Sequence, residues 1–210
     1  MNKFAGTFIT LEGVEGAGKS THMAFIASQL KKTGREVLLT REPGGTPLGE
    51  QIRQLLLMQK SITIDGMTEL LLMVAARAQH IRDVIAPALH SGKIVLCDRF
   101  TDSSYAYQGG GRGIPAETIT ELSQLARTDL TPDLTLLFDV PVVTGLQRAC
   151  QGREADRFET ETFDFFQSVR NTYLKIAESD PVRVKIINTD MDINLVHSSI
   201  RKILQDHNPC

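Results

Sequence analysis

The sequence predicts an α/β fold, a three-layer α/β/α sandwich in which helices cover both faces of a central parallel sheet of about five strands. Three observations predict it. Short apolar runs alternate with stretches of helical period, and parallel strands require such crossover helices. The first apolar run passes through a glycine-rich turn directly into a helical pattern. The chain is 210 residues long, the size of one α/β unit with a single core, so positions 1–210 are expected to form one domain.

Taken in order, Phe4 to Leu11 reads as a buried strand, and Met23, Phe25, Ile26 and Leu30 mark the helix that Gly34 ends. Glu36 to Thr40 is a second short strand, followed by the breakers Pro43, Gly44, Gly45 and Pro47, where a functional loop is expected. Leu48 to Met58 and Gly66 to His90 read as helices. The second is so apolar along Leu70, Leu71, Leu72, Met73 and Val74 that core or a second copy of the chain must cover most of it. Lys93 to Cys97 is a strand ending at Asp98, Leu134 to Phe138 one ending at Asp139, and Arg183 to Ile187 a last one. Gly145 to Glu159 is charged and poor in apolar residues, which suits a helix-capping loop or a mobile lid.

Composition narrows the function. Hydrophobic residues at 41% and charged ones at 23% are ordinary globular usage. With 23 Lys and Arg against 25 Asp and Glu, no overall positive field exists to hold a nucleic-acid backbone. Phosphate binding must therefore be local. Cys97, Cys150 and Cys210 form no CxxC pair and no even set, so neither a disulfide framework nor a zinc ribbon is expected, and a reducing cytoplasm fits. Neither a targeting segment nor a membrane span is expected.

The strongest local signal is Gly13-Val14-Glu15-Gly16-Ala17-Gly18-Lys19-Ser20, which matches GxxxxGK[ST] at every fixed position between a strand and a helix. Glycines let the backbone turn its N–H groups onto phosphate oxygens, and the helix N-terminus adds partial positive charge. Lys19 should meet the transferred phosphate, Ser20 ligate Mg²⁺, and Thr21 donate to the α-phosphate. The motif alone leaves the reaction open. A guanine-reading Asn/Thr-Lys-x-Asp segment is lacking, since Asn188-Thr189-Asp190 has no lysine, and neither GxSxG nor HExxH occurs.

Further motifs follow in fixed order: Arg41-Glu42-Pro43-Gly44-Gly45-Thr46, Ala76-Arg77-Ala78-Gln79, Asp98-Arg99-Phe100, Tyr107-Gln108-Gly109-Gly110-Gly111, and Asp156-Arg157-Phe158-Glu159. Together with the P-loop they closely resemble the bacterial thymidylate kinases, of the P-loop nucleoside monophosphate kinase family, over nearly the whole chain. The resemblance implies transfer of the ATP γ-phosphate to thymidine 5′-monophosphate in dTTP synthesis, with ATP and Mg²⁺, in a cytoplasmic homodimer without nucleic-acid or membrane partners.

The resemblance also implies roles at matching positions. Asp98 would hold Mg²⁺ directly or through water, and Arg53 and Arg99 would bind the acceptor phosphate, which suits their planar forks. Arg41 either joins them or pairs with a neighbouring carboxylate. Glu12 would accept a hydrogen bond from the sugar 3′-hydroxyl. Arg77, which only donates, satisfies thymine O4 but not the amino group of cytosine. Met73 departs from the phenylalanine that many relatives stack on thymine, and either covers the base face or belongs to the core. That departure keeps a broader monophosphate kinase as the alternative, and a nucleotide-binding regulator without catalysis is a third reading. Ser104 and Gln108 are expected beside the base, and Tyr107 where a ribose 2′-hydroxyl would lie. A lid at about residues 148–159 carries Arg148, Arg153 and Arg157. Arg153 and Arg157 would neutralise transition-state charge, because the variable P-loop positions supply no arginine, and Arg148 would stack on adenine.

Overall fold

The structure, a computed structural model, describes residues 4–58, 62–126, 130–149 and 157–207. Its sheet has five strands, β1 (Thr7–Glu12), β2 (Val37–Arg41), β3 (Ile94–Asp98), β4 (Leu134–Asp139) and β5 (Val184–Asn188), in the order β2-β3-β1-β4-β5. Every pairing is parallel. Each strand runs at least one residue past its expected end. Glu12, Arg41, Asp98, Asp139 and Asn188 still pair through their backbone while their polar side chains reach the carboxyl edge of the sheet. β1, β3 and β4 are buried almost throughout, as strands covered on both faces must be, whereas β2 and β5 lie at the edges and are partly open.

Nine α-helices complete the described residues: α1 (Lys19–Lys31), α2 (Pro47–Met58), α3 (Gly66–His80), α4 (Ala86–His90), α5 (Thr101–Ser104), α6 (Ala116–Leu125), α7 (Val142–Ala149), α8 (Phe163–Ser179) and α9 (Ile193–His207). The expected helix from Gly66 to His90 is continuous but widens into a π-helical turn at Ile81–Ile85, where Ala86 N–H donates to Ile81 O. Pro87 follows at once and has no N–H of its own to continue the α pattern. Helix starts are fixed by side chains that accept orphan N–H groups: Thr46 before α2, Asp65 before α3 and Thr162 before α8.

A second π-helical stretch, Tyr105–Gly111, links α5 to α6. Its closing glycines have a packing reason: a Cβ at Gly110 would lie 3.0 Å from Ser168 O, and one at Gly111 would press into the Phe165 ring. Bare α-carbons let α8 lie against this segment, which carries Tyr107 and Gln108. Along α3, Leu70 and Val74 pack on Ile119 of α6, but Leu71 is 48% exposed, so the apolar stretch is only half covered. Among the described residues no helix is long and apolar enough to cross a membrane.

β1 lies between β3 and β4, with β2 beyond one and β5 beyond the other, so the chain reverses its direction of winding there. In open α/β sheets such a point opens a crevice at the strand ends. The P-loop leaves β1 there and Asp98 ends β3 there, with Leu11 and Asp98 paired in register.

Candidate active site

From Glu12 the chain turns through Gly13, Gly16 and Gly18, at φ 136°, 67° and 92°, a region that side-chain-bearing residues avoid. Val14 and Ala17 anchor the loop in the core. Lys19 opens α1 and folds back across the loop, its Nζ donating to Gly13 O at 2.8 Å and Val14 O at 3.0 Å. Burial, then the nearby Arg99 charge, lowers its pKa to about 8. An arriving phosphate favours the ammonium form. Nucleotide binding between pH 8 and 9 should therefore take up protons, and affinity should fall as pH rises through about 8. Calorimetry in buffers of different ionisation heat checks this; binding heats independent of buffer would contradict it.

Two cavities meet at this loop. The first, about 360 Å³, opens over the strand ends between α3 and the 105–111 segment; the second, about 560 Å³, lies between the loop, α1 and the start of α9. Gly16, Lys19 and Ser20 line both. Whatever fills one therefore meets the contents of the other at the lysine.

In the first cavity Asp98, Arg53 and Arg99 stand near Ser20 and Lys19. Arg99 has a left-handed backbone at φ 71°, which costs a non-glycine residue about 1–3 kcal/mol and here swings the side chain across the strand ends. Its guanidinium donates to Glu15 at 2.9 Å and stacks 4.8 Å over the Tyr107 ring. Tyr107 donates to both Glu15 oxygens, at 2.8 and 2.6 Å, its phenol kept protonated chiefly by burial. Arg53 donates to Pro43 O at 3.1 Å, and burial followed by the Arg41 charge lowers its pKa. Asp98 Oδ1 is buried without a partner in the cavity that Ser20 also lines, an orphaned carboxylate oxygen that fits Mg²⁺, which binds through one or two carboxylates plus phosphates and water.

At the opposite end of this cavity Arg77 is 2% exposed and held on three sides. Nε donates to Glu42 at 2.7 Å, and Nη2 to Phe100 O at 3.0 Å and Ser104 Oγ at 3.1 Å. Nη1 is buried with no partner. Met73 and Gln108 line the same cavity. In the second cavity Thr21, His22, Arg148, Thr189 and Val196 form the wall, and Arg148 Nη1 donates to Thr189 O at 3.1 Å.

The sequence model of the thymidylate kinase family matches residues 11–200. A thymidylate kinase of Pseudomonas syringae pv. tomato is 54% identical over 201 residues, covering 96% of each chain, and that of Pseudomonas fluorescens is 54% identical over 199 residues, covering 95% of each. The crystal structure of thymidylate kinase from Ehrlichia chaffeensis superposes with a TM-score of 0.78 at 36% identity, covering 95% of this chain and 99% of that one. The chain belongs to the thymidylate kinase family. It is a nucleotide kinase, and its reaction is the phosphorylation of thymidine 5′-monophosphate by ATP.

Most expected residues gather on the two cavities; Glu12, Arg41, Arg157 and the loop residues Gly13, Val14 and Ala17 line neither. Glu12 lies beneath the first cavity, fully buried, accepting from Phe100 N at 2.7 Å, Ser103 Oγ at 2.6 Å and Tyr173 OH at 2.8 Å. Burial, then the Asp102 charge, raises its pKa to about 7. Glu15, unlike Glu12, lines the cavity, together with Glu42, Asp98 and Glu159. Arg41 lines neither cavity and pairs with Glu50 at 2.9 Å, the second of its two expected roles. Arg153 lies outside the described residues, as do Cys150 and Cys210. The expected lid boundary also moves, because 145–149 belong to α7 and 157–160 form a turn.

Arg157 lines neither cavity. Its guanidinium pairs with Glu69 and donates to Leu56 O at 2.8 Å, and its N–H donates to Leu57 O at 3.1 Å. Glu69, wholly buried on α3, also accepts from Gln108 at 2.7 Å and Arg112 at 3.3 Å. These bonds hold Phe158 in the cavity wall, edge-on to Tyr107 at 5.6 Å. Arg157→Ala should cost about 1–3 kcal/mol of stability, because two donors remain on Glu69, and should raise KM for the monophosphate more than it lowers kcat. Thermal melts with steady-state kinetics check it; a large kcat loss at unchanged Tm would return Arg157 to the chemistry.

Sequence reasoning missed Glu42, Leu57, Ser103 and Phe158 in the first cavity, and Met191, Ile193 and Val196 in the second. Phe158 and Glu42 stood inside recognised motifs, and that was the available signal. The others carry none, being ordinary residues placed by tertiary packing.

Proposed function

We propose that the first cavity takes thymidine 5′-monophosphate and the second takes ATP with Mg²⁺, and that the phosphates meet over Lys19. The unpartnered Arg77 Nη1 carries this reading. A pinned guanidinium with one free donor suits the O4 acceptor of thymine and opposes the amino group of cytosine. Arg53 and Arg99, at the other end, suit the acceptor phosphate. Glu15, beside Tyr107, takes the sugar 3′-hydroxyl that the family resemblance had given to Glu12, and the Tyr107 ring fills the space of a ribose 2′-hydroxyl. Met73 covers the base, with Ser104 and Gln108 at its edge.

The acceptor phosphate has a second pKa near 6, so it arrives largely as the nucleophilic dianion and needs no general base. The task is to align two charged phosphates in line and offset their repulsion. Lys19 leaves the carbonyls of Gly13 and Val14 for the β- and γ-phosphate oxygens, while the N–H groups of Gly13, Val14, Glu15, Gly16, Ala17 and Gly18 cradle them. Thr21 donates to the α-phosphate, and Arg148 stacks on adenine. Ser20, and Asp98 directly or through water, would hold Mg²⁺, which would supply positive charge against that of the phosphates. With Arg157 engaged at Glu69, Arg153 is the lid arginine left for the transferring group. Lid closure excludes water.

The same reading gives a homodimer through α2 and α3, where Leu48, Leu55, Met67 and Leu71 are exposed, and a cytoplasmic enzyme, in keeping with a buried free thiol at Cys97. Substrate choice tests it. Arg77→Ala should lower kcat/KM for thymidine monophosphate about ten- to a hundredfold and shrink its advantage over deoxycytidine monophosphate. Tyr107→Ala should relax rejection of the ribose counterpart, whereas Tyr107→Phe should keep it. Equal use of the thymidine and deoxycytidine substrates by the unaltered enzyme would sink the assignment of Arg77.

A further inference from the structure

We infer that His80 is a positioning residue for base recognition: through Glu42 it holds the Arg77 guanidinium in the orientation that leaves Nη1 free for the base. The inference rests on the acceptor reading of the first cavity. His80 is fully buried and one turn beyond Arg77 on α3. Its Nδ1 lies 3.0 Å from Glu42 Oε1, and the other oxygen of that carboxylate, Oε2, accepts from Arg77 Nε at 2.7 Å. Because a carboxylate only accepts, His80 donates from Nδ1. Its Nε2 lies 2.6 Å from Thr40 Oγ1 near the end of β2, a hydroxyl that can donate to a neutral ring and so anchors the far side of the imidazole. Space for the ring comes from Gly45, where a Cβ would press on Nε2.

This chain has a consequence for Arg77. A carboxylate and a guanidinium prefer a two-pronged pair. Glu42 is kept from it because His80 holds one of its oxygens, so only Nε of Arg77 is engaged, and Nη2 stays on Phe100 O and Ser104. Released from His80, the second Glu42 oxygen can swing onto the guanidinium, turn it away from Phe100 and Ser104, and carry Nη1 off the line to the base. His80 touches no substrate in this account. It fixes the plane of the group that does.

The experiment measures kcat and KM for thymidine and deoxycytidine monophosphates, with KM for ATP, in the unaltered enzyme and in His80→Leu, His80→Gln, Thr40→Val and Arg77→Lys. His80→Leu should raise KM for thymidine monophosphate about tenfold and shrink the thymidine-to-deoxycytidine ratio by a similar factor, with kcat and KM for ATP nearly unchanged. His80→Gln, whose amide donates to Glu42 and accepts from Thr40, should restore most of both. Thr40→Val should move the same two quantities a few-fold in the same direction, and it decides the matter if His80→Leu does not fold. A uniform loss across both monophosphates and ATP, or an unchanged ratio in His80→Leu or Thr40→Val while Arg77→Lys collapses it, overturns the inference and leaves the base reading standing. If Arg77→Lys also leaves the ratio intact, the acceptor reading itself fails and the inference with it.

Discussion

Lys19→Ala should lower kcat by about 10³-fold or more while the fold survives. The ammonium is the charge common to both cavities and the only cation among the P-loop side chains. Little stability should be lost with it. Burial lowers the Lys19 pKa to about 8, so the folded protein bears a cost for the charged form that alanine removes, offset by the loss of two bonds to loop carbonyls. Single-turnover kinetics beside far-ultraviolet circular dichroism and thermal melts separate the two effects. Turnover like that of the unaltered enzyme would remove the lysine from the mechanism.

The second large effect is expected at Arg153. An arginine placed on a transferring phosphoryl group contributes about 10³-fold or more to rate in comparable enzymes, and Arg157 is committed to Glu69. Arg153→Ala should therefore reduce kcat by about that factor with little change in KM for either substrate, since the charge matters chiefly at the transition state. Arg153→Lys should recover only part, a point charge replacing a planar fork. A loss confined to KM would make Arg153 a ground-state ligand and reopen the question of where the positive charge comes from.

The frame of the molecule was legible because its signals are local. β1, β3 and β4 announce themselves as apolar runs ending in a carboxylate, and the P-loop is read residue by residue. The motifs after it, each a short local string, supply much of the lining of the first cavity. What the sequence hides are partners. Nothing in the neighbourhood of Glu69 says that a carboxylate in an apolar helix will be neutralised by Arg112 and Arg157, and nothing near Glu12 says that Tyr173 will donate to it. Charges at such separations are matched only by the tertiary fold. For that reason the sequence reads Arg157 and Glu12 as ligand contacts and does not show that they also pair inside the fold. The π-helical turns are hidden differently, because widening a helix by one residue leaves its composition unchanged.

The P-loop and α7 meet at two glycines. A Cβ at Gly145 would sit 2.7 Å from the Glu15 carbonyl, and one at Gly16 would run into the carbonyl of Gly145. Neither backbone can give way, because one carries the phosphate-binding N–H groups and the other is locked in α7. A side chain at either site must therefore push loop and helix apart, so their spacing is set by two residues that carry none. Alanine at Gly16 or Gly145 thus acts on both elements at once, moving the loop's N–H groups through a change made in a helix, or the helix through a change made in the loop.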